Sequence, residues 1–245
     1  MKKTVLSLLL VAAMVIGLVL PCVAADDATE NATETVTITP DTDWYDASKT
    51  EFEISTAAQL YGLAKLTRYA TDKNACDAIT NGKTFRLTKD IDLNPGWNAD
   101  SGDAAPNVWG GISRFLGTLD GQGHTISGLY AGEPTNNPFG GKKTEFGFIC
   151  RLYSGTVKNM VFLNGKMSTN EKSLGLIGHA HTGDSAVENL YVDVDFSANT
   201  TVDNSLVGGV IAGCWTGNSQ TVTMKNVVYV GNLNTKMTGT NCATG

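Results

Sequence analysis

The chain has 245 residues, of which 42% are hydrophobic and 17% are charged, and its formal net charge is −6 at pH 7. Its basic residues form no cluster, which excludes the usual electrostatic footprint of a nucleic-acid-binding protein. The 27 glycines and the low charged fraction are typical of short strands joined by tight turns, and they argue against a helical bundle.

The N-terminus has the three parts of a secretory signal peptide. A basic start at residues 2–3 is followed by an almost unbroken apolar run and by small residues that end at Ala25. We predict a signal peptide at residues 1–25 and a protein that is secreted or held at the cell surface. An uncleaved membrane anchor and a lipoprotein linked through Cys22 are the alternatives, and Pro21 disfavours both.

The exported part of the chain is more acidic, because removal of two lysines leaves 16 basic against 24 acidic residues. An anionic membrane surface would repel such a chain, and we expect no membrane insertion after cleavage. Residues 26–43 are acidic, rich in threonine and poor in large apolar residues, which predicts a flexible leader. The remaining residues, 44–245, are sufficient for one domain.

One segment of this domain has a helical period, at about residues 56–70. Thr56 and Gln59 form a capping box, and Leu60 and Leu63 begin an apolar stripe with helical spacing. We expect this amphipathic helix to cover the first layer of a stack of strands, whose backbone edge would otherwise be exposed.

Strand-like alternation of apolar and polar residues begins at Thr84 and continues toward a turn-rich segment. In that segment, Asp120, Gly121 and Gly123 are predicted to form a sharp turn with positive-φ positions between two strands. His124 follows directly, and its ring is expected to hydrogen-bond to the backbone of the turn.

Three later strands repeat one pattern about thirty residues apart, each after a glycine-containing apolar segment. Their apolar residues fall at positions i, i+3 and i+5, and the three-residue step implies a bend. Asn159, Asn189 and Asn226 occupy that bend. Because asparagine tolerates left-handed backbone angles and stacked amides can bond to one another, we predict an asparagine ladder. The apolar triplets are Val157/Met160/Phe162, Val187/Leu190/Val192 and Met224/Val227/Tyr229.

Repetition at this period predicts stacked layers, none of which has a closed core of its own. We predict an all-β fold, a right-handed parallel β-helix of the pectin-lyase-like kind, with the N-terminal helix as its cap. The handedness follows from the general preference for right-handed crossovers and not from these residues.

Four segments carry a resemblance to a known family: residues 52–60, 89–93, 115–129 and 174–178. They resemble the β-helical ectodomains of bacterial and archaeal adhesin-like surface proteins with the GLUG repeat. They also resemble the non-catalytic β-helical region of IgA-specific metallopeptidases. The resemblance covers about residues 44–235 and implies a scaffold with varied attachments rather than one activity. Because larger members continue into further domains, and residues 239–245 look like the opening of another layer, we expect a C-terminal truncation.

No metal or cofactor site is predicted, and the HExxH motif of a metallopeptidase is absent. His179 and His181 would share one face of a strand and could hold a metal weakly, but no carboxylate stands at motif spacing. A loop after Gly178 is the expected setting for them. Disulfides and free buried thiols are open alternatives for the four cysteines of the exported chain, Cys76, Cys150, Cys214 and Cys242.

Two aspartates provide the best case for an enzyme. Asp193 and Asp195 alternate with apolar residues and would point the same way, about 7 Å apart along a strand, near the spacing of an inverting glycosidase pair. Outward aspartates more commonly stay in water and discourage edge pairing. The aromatic residues that could include a sugar-stacking platform are Trp44, Tyr45, Trp97, Trp109, Tyr130, Tyr153 and Trp215.

We therefore predict a non-catalytic exported module that binds surface glycans or proteins of a host or neighbouring cell, or that serves as a stalk. The first alternative is a polysaccharide hydrolase or lyase that uses Asp193 and Asp195. The second is the accessory region of a larger secreted peptidase. Residues 94–107 and 132–143 are the longest candidate loops, and loops commonly carry function on rigid scaffolds.

The predicted cleavage can be measured on native protein recovered from its cell surface and medium. We expect the chain to begin at Asp26, because the small-residue site ends at Ala25. An intact mass near that of residues 26–245 would identify a small secreted module, and a much larger mass would identify a stalk or binding arm. A retained apolar N-terminus would contradict the signal peptide.

Overall fold

The computed structural model of the protein describes residues 36–68, 70–131, 145–170, 172–181, 183–215 and 220–245. The predicted signal peptide, the first part of the predicted leader and the loop at residues 132–143 lie outside the described residues. Strands predominate in the described part of the chain, and none of its helices is long and apolar enough to cross a membrane.

The helices are α1 (Ala57–Arg68) and α2 (Lys73–Thr80), and a short 3-10 turn spans Ala99–Ser101. The strands, in chain order, are β1 (Glu51–Ile54), β2 (Thr84–Leu87), β3 (Ile91–Asp92), β4 (Thr118–Asp120), β5 (Thr125–Ser127), β6 (Tyr130–Ala131), β7 (Glu145–Phe146), β8 (Ile149–Leu152), β9 (Thr156–Thr169), β10 (Ser173–Leu174), β11 (Ile177–Ala180), β12 (Ser185–Thr200), β13 (Leu206–Val207), β14 (Val222–Tyr229), β15 (Leu233–Met237) and β16 (Ala243–Thr244).

The strands form three sheets. β1, β2, β4, β9, β12 and β14 follow one another across the largest sheet, to which β3, β5, β6 and β15 also belong. A second sheet has the order β7, β10, β13 and β16, and β8 pairs with β11 in the third. Each pairing between these strands is parallel. The prediction of a β-rich fold is confirmed, and its sheets are parallel.

Residues that face inward lie beside one another in successive strands of the largest sheet. We call each of these strands, with the segments that follow it up to the next one, a layer. One such row contains Phe52, Phe85, Leu119, Val157 and Val187, and none of these side chains is more than 5% exposed. The rings of Phe52 and Phe85 stack with their centroids 5.1 Å apart. Because burial of apolar surface contributes about 25 cal/mol per Å², rows of this kind supply the main favourable term of folding.

Helix α1 lies where the sequence predicts a helix. The Oγ1 of Thr56 accepts the backbone N–H of Gln59 at 3.2 Å. The Oε1 of Gln59 in turn accepts the N–H of Ser55 at 2.8 Å, one residue further back than a capping box on Thr56 requires. Leu60 and Leu63 are fully buried in the same core as the strands.

The sequence pattern does not predict helix α2. Cys76 and Thr80 are buried and Ile79 packs against the core from the same face, but eight residues are too short a segment for this spacing to stand out in the sequence. Asp72 caps its start with a side-chain hydrogen bond to the backbone. An ion pair between Asp77 and Arg114 joins the helix to a distant part of the chain. The cap at Asp72 and the ion pair of Asp77 therefore help to stabilise a short helix that its sequence pattern alone does not reveal.

The ordered contacts of the domain begin before residue 43, the predicted end of the leader. The Nδ2 of Asn107 donates to the carbonyl of Val36 at 2.8 Å, and its Oδ1 accepts the N–H of Ile38 at 2.7 Å. Val36 and Ile38, inside the predicted leader, are thus hydrogen-bonded to the domain. Composition does not reveal this, because Asn107 stands 69 residues beyond Ile38 in the chain.

An asparagine ladder runs along one bend of the layers. Asn159, Asn189 and Asn226 have left-handed backbone angles, with φ of 56°, 54° and 52°. The Nδ2 of Asn189 donates to the Oδ1 of Asn159 at 2.8 Å, and the Nδ2 of Asn226 donates to the Oδ1 of Asn189 at 3.0 Å. Asp120 accepts from the Nδ2 of Asn159 at 3.0 Å at the other end. The structure therefore brings these four residues into one hydrogen-bonded chain.

The carboxyl group of Asp120 stays ionised although its residue is only 6% exposed. Burial raises its pKa, but hydrogen bonds from Asn159 and Gln122, with the charge of Lys158, hold that pKa below its usual value. The ladder thus ends on a charged acceptor, which forms stronger hydrogen bonds than a neutral one.

The turn after Asp120 differs in detail from its prediction. Positive φ occurs at Gln122, with a value of 53°, and at Gly123, with a value of 86°, but not at Gly121. Residue 121 must be a glycine for a different reason: a side chain there would clash with Met160, because a Cβ at this position would lie 2.3 Å from the Cβ of Met160. Close packing of the next layer, which the local sequence does not show, therefore determines this glycine.

The four cysteines among the described residues are free thiols. Cys76 and Cys150 are buried, whereas Cys214 is exposed and Cys242 is half-buried. The alternative of free buried thiols therefore holds for Cys76 and Cys150, but not for the other two.

Replacement of Asn189 separates the backbone angle from the hydrogen bonds of the ladder. Asn189→Gly keeps the left-handed angle but removes both side-chain hydrogen bonds, so we expect the free energy of unfolding to fall by about 1–2 kcal/mol. Asn189→Ala also strains the backbone and should cost about 1 kcal/mol more. Denaturant unfolding followed by circular dichroism measures both changes.

Asn199, which is exposed on β12 without a positive φ, provides the matched control. Asn199→Ala should change the free energy of unfolding by less than about 0.5 kcal/mol. Equal stabilities of Asn189→Gly and the unmodified protein would contradict the ladder, and equal stabilities of the two Asn189 variants would contradict the role of the backbone angle.

Candidate functional site

The outer face of the third sheet carries two rows of side chains in register. Four residues lie side by side in parallel register: Phe115 pairs with Leu152, Leu152 of β8 with Ala180 of β11, and Ala180 with Cys214. Phe115, Leu152 and Ala180 are fully buried, so the residues on either side of this row point away from that core, although Arg114 itself is only 8% exposed. We call this outward surface the ladder face. Its rows are Arg114, Arg151, His179 and Gly213, and Leu116, Tyr153, His181 and Trp215.

Three side chains of the ladder face are stacked on one another. The guanidinium carbon of Arg114 lies 3.8 Å from the ring centroid of Tyr153. The ring centroids of Tyr153 and His181 are 4.6 Å apart, and the rings are 12° from parallel. The stack therefore combines a cation–π contact with a contact between two flat rings.

Trp215 continues this row toward the C-terminal layers. Its backbone N–H donates to the carbonyl of Ala180 at 2.8 Å, which sets it beside His181 in register. Its side chain is 69% exposed, more than any other large hydrophobic side chain among the described residues. A ligand that covered this ring would remove a large apolar surface from water.

His179 belongs to the first row of the ladder face and contacts the second. Its ring centroid is 4.5 Å from that of His181. Gly213 provides the space for this imidazole, because a Cβ at that position would lie 2.6 Å from its Cδ2 and 2.8 Å from its Nε2. A glycine at residue 213 is thus a condition for the position of His179.

Both imidazoles are predominantly neutral at pH 7. Burial lowers the pKa of His179, and burial together with the neighbouring His179 lowers the pKa of His181 to about 4. The negative charge of Glu145 opposes both shifts without cancelling them. A neutral imidazole has one N–H donor and one acceptor nitrogen, so each ring can take either role toward a ligand.

Carboxylates hold the two arginines of the ladder face in place. Arg114 pairs with Asp77 of α2, and its Nη2 lies 3.1 Å from Oδ2. Arg151 donates through Nε to Glu145 at 2.8 Å. Charge-assisted hydrogen bonds of this kind are directional, so the protein's own contacts fix the orientation of both guanidinium groups.

Two buried ring nitrogens of the ladder face have no hydrogen-bond partner among the described residues. They are Nδ1 of His179 and Nε2 of His181. A buried polar atom without a partner costs about 1–3 kcal/mol, so a ligand group or a water that reached these atoms would be favoured. No group of three or more His, Cys, Asp or Glu residues in the described ranges is arranged to hold a metal. The chemistry that the ladder face offers is binding through stacking and polar contacts.

The histidines differ from their predicted settings. A strand, β11, occupies the position of the loop predicted after Gly178, because pairing with β8 extends this short segment. His124 places its Nδ1 3.1 Å from the Oδ1 of Asp90, a carboxylate outside the predicted turn. Its backbone N–H does bond within the turn, to the carbonyl of Gly121 at 2.8 Å.

Asp193 and Asp195 lie on β12 in the largest sheet, and neither belongs to the ladder face. The Oδ1 of Asp195 accepts the backbone N–H of Asn232 at 2.7 Å and its Nδ2 at 2.9 Å. Asp193 is exposed, and the register between β12 and β9 shifts at this residue. Asp195 therefore joins two layers as a hydrogen-bond acceptor.

The sequence names Tyr153 and Trp215 as aromatic candidates but does not connect them with Arg114 and His181. The signal that could connect them is the offset between layers. That offset is 28 residues from Arg151 to His179, but 30 residues from Val157 to Val187. A single repeat length therefore does not align the equivalent residues of every row. The residues of the ladder face can be matched only when the register of each sheet is known.

A partial similarity to a known protein was found. The chain is 31% identical over 147 residues to halomucin of Haloquadratum walsbyi, and the match covers 55% of this chain and 1% of halomucin. The chain therefore spans about one-hundredth of the length of that relative. No family model matches the chain, and no solved structure matches it.

The neutral state of His181 predicts a loss of stability on acidification. Its pKa is about 4 in the folded chain and about 6.5 in the unfolded chain. Between these values the unfolded chain binds more protons than the folded chain. The contribution of the neutral His181 to the free energy of unfolding is therefore complete above pH 6.5 and is lost as the pH falls toward 4. We expect the melting temperature to fall over this range, and His181→Phe, which keeps a flat ring but cannot titrate, to reduce that fall.

Melting curves from pH 7 to pH 4 measure this effect. His124→Phe is the control, because it removes a histidine that contacts Asp90 outside the ladder face. An acid-induced fall that is the same in His181→Phe and in the unmodified protein would contradict the assignment.

Proposed function

We propose that this chain is a non-catalytic binding module exported to the cell surface or the medium. We propose further that its stacked parallel layers form a right-handed parallel β-helix, as the resemblance to GLUG-repeat surface proteins implies. The in-register rows and the buried aromatic stack between layers support this architecture, and the general preference for right-handed crossovers supports its hand. The partner is a surface glycan or a protein of a host or neighbouring cell.

The observation that carries this proposal is that the exposed Trp215 follows Tyr153 and His181 in register, beside the stack that they form with Arg114. Ion pairs orient the arginines, while the tryptophan is 69% exposed to a partner. A rigid aromatic surface with polar groups beside it loses little conformational entropy when a ligand binds. Such a surface suits the apolar face of a sugar ring or an aromatic side chain of a protein.

Two further observations support an exported module. The basic, apolar and small-residue parts of the N-terminus favour secretion. The segment shared with halomucin, by its name a mucin, agrees with a cell-surface or secreted setting. The engagement of Asp195 by Asn232 favours a structural role for that carboxylate over the acid–base role of the polysaccharide-hydrolase alternative.

Replacement of Trp215 tests the binding function directly. A glycan array, followed by calorimetry with the best ligand, should show an affinity about tenfold or more lower for Trp215→Ala, because an exposed aromatic anchor is removed. The free energy of unfolding should change little, since the side chain is mostly solvated.

Tyr191→Ala is the matched control, because Tyr191 is an exposed aromatic residue on β12, outside the ladder face. An equal loss of ligand affinity in Trp215→Ala and Tyr191→Ala, or no loss of affinity in either variant, would contradict the ladder face as the binding surface. New reducing or unsaturated ends in the incubated polysaccharides, lost on Asp193→Ala, would contradict the non-catalytic function.

A further inference from the structure

One asparagine on the outer face of the largest sheet begins an acceptor sequence for N-linked glycosylation. Asn199, Thr200 and Thr201 match the pattern Asn-x-Ser/Thr, in which the middle residue is any residue except proline. One other triplet of the chain matches, at residues 31–33 in the predicted leader, and it lies outside the described residues. The pattern is informative only in an exported protein, and the N-terminal sequence predicts export for this chain.

The side chain of Asn199 faces solvent from within the stack. It is exposed, whereas its neighbours Ala198 and Thr200 are only 4% and 3% exposed, as alternation along a strand requires. Ala198 pairs with Thr169 of β9 on one side, and Asn199 pairs with Lys236 of β15 on the other. Strands flank this position on both sides, so its exposure is a property of the outer face and not of an end of the sheet.

The side-chain amide of Asn199 is not used by the fold. Other asparagines on these strands are used: Asn189 belongs to the ladder, and Asn164 donates through Nδ2 to the carbonyl of Trp97 at 2.8 Å. In the part of the chain that the structure describes, the amide of Asn199 has no hydrogen-bond partner. A group attached to its Nδ2 therefore breaks no contact of the fold.

The fold also exposes the second residue that the pattern specifies. β12 ends at Thr200, and Thr201, directly after it, is exposed. Thr200, whose identity the pattern leaves open, is buried, and its Oγ1 accepts the backbone N–H of Val202 at 3.1 Å. The two specified side chains are thus both accessible, and the core uses the residue between them.

We propose that Asn199 is an N-glycosylation site, modified by a transferase of the export pathway. The donor is an oligosaccharide linked through its first sugar to a lipid phosphate. The Nδ2 of Asn199 forms a bond with C1 of that sugar while the bond between C1 and the phosphate oxygen breaks. The lipid phosphate leaves with the electron pair of that bond, and the amide loses one proton. A sugar chain attached in this way is bulky and hydrophilic, and it suits an outward position.

The glycan and the ladder face belong to different sheets. Asn199 lies on β12 in the largest sheet, whereas the ladder face is built on β8 and β11 of the third sheet. The modification therefore rests on export, which the proposed function includes, but it does not rest on ligand binding at the ladder face.

Mass spectrometry of the protein recovered from its native cell surface and medium tests the site. Trypsin releases residues 173–225 as one peptide, because Lys172 and Lys225 are the flanking cleavage sites. Electron-transfer fragmentation of this peptide should locate a mass increase of whole sugar residues on Asn199.

The same peptide contains an internal control. Asn204 is also exposed, but Leu206 stands two residues after it, so Asn204 should carry no sugar. Two variants expressed in the native organism then test the pattern itself. Thr201→Ala should lose the sugar at Asn199, whereas Thr201→Ser, which keeps a hydroxyl at this position, should retain it. Both variants should fold, because Thr201 is exposed.

Absence of sugar at Asn199 in the native protein would overturn the proposal, as would a modification confined to Asn31. Equal modification of Thr201→Ala and the natural sequence would also overturn it. If the unglycosylated chain nevertheless begins at Asp26, export and the binding function stand and only this inference fails.

Discussion

Parallel pairing in register is the constraint on which the rest of this structure depends. Because neighbouring strands run the same way, each side chain lies beside its counterpart in the adjacent layer. Where the counterparts are apolar they form the core, and where they are amides they bond along a bend. Where they are a tyrosine and a histidine, the two rings stack on the outside, and Arg114 of the neighbouring row packs on the tyrosine. One backbone arrangement thus generates rows with different chemistry.

The asparagines reconcile this pairing with the need of long strands to turn. β9 has 14 residues and β12 has 16, and each contains an asparagine with a positive φ. A left-handed angle costs most side chains about 1–2 kcal/mol, and asparagine reduces this cost through local hydrogen bonding. The same side chain then bonds to the next layer. A local conformational requirement and a contact between layers are therefore met by one residue type.

Features that recur at fixed positions could be predicted from the sequence, and features that depend on one distant partner could not. The spacing of nearby residues in the sequence predicts the repeat period, the bends at the three asparagines and helix α1. Helix α2 depends on the pair of Asp77 with Arg114, and the early segment depends on Asn107. The ladder face was hidden because layer offsets vary, from 30 residues between Val157 and Val187 to 38 between Leu119 and Val157. Turn length, which sets those offsets, has no period of its own.

One outward row of the largest sheet alternates in charge from strand to strand, and we call it the charge row. Its members are Glu53, Arg86, Asp120, Lys158, Glu188 and Lys225. If the layer that contains Lys158 were deleted, Asp120 would stand beside Glu188, whereas deletion of two adjacent layers would preserve the alternation of sign. The apolar rows have no such preference, because neighbouring layers offer them the same kind of side chain. Because like charges on adjacent strands are destabilising, loss of one layer would lower the stability of this row, whereas loss of two adjacent layers would not.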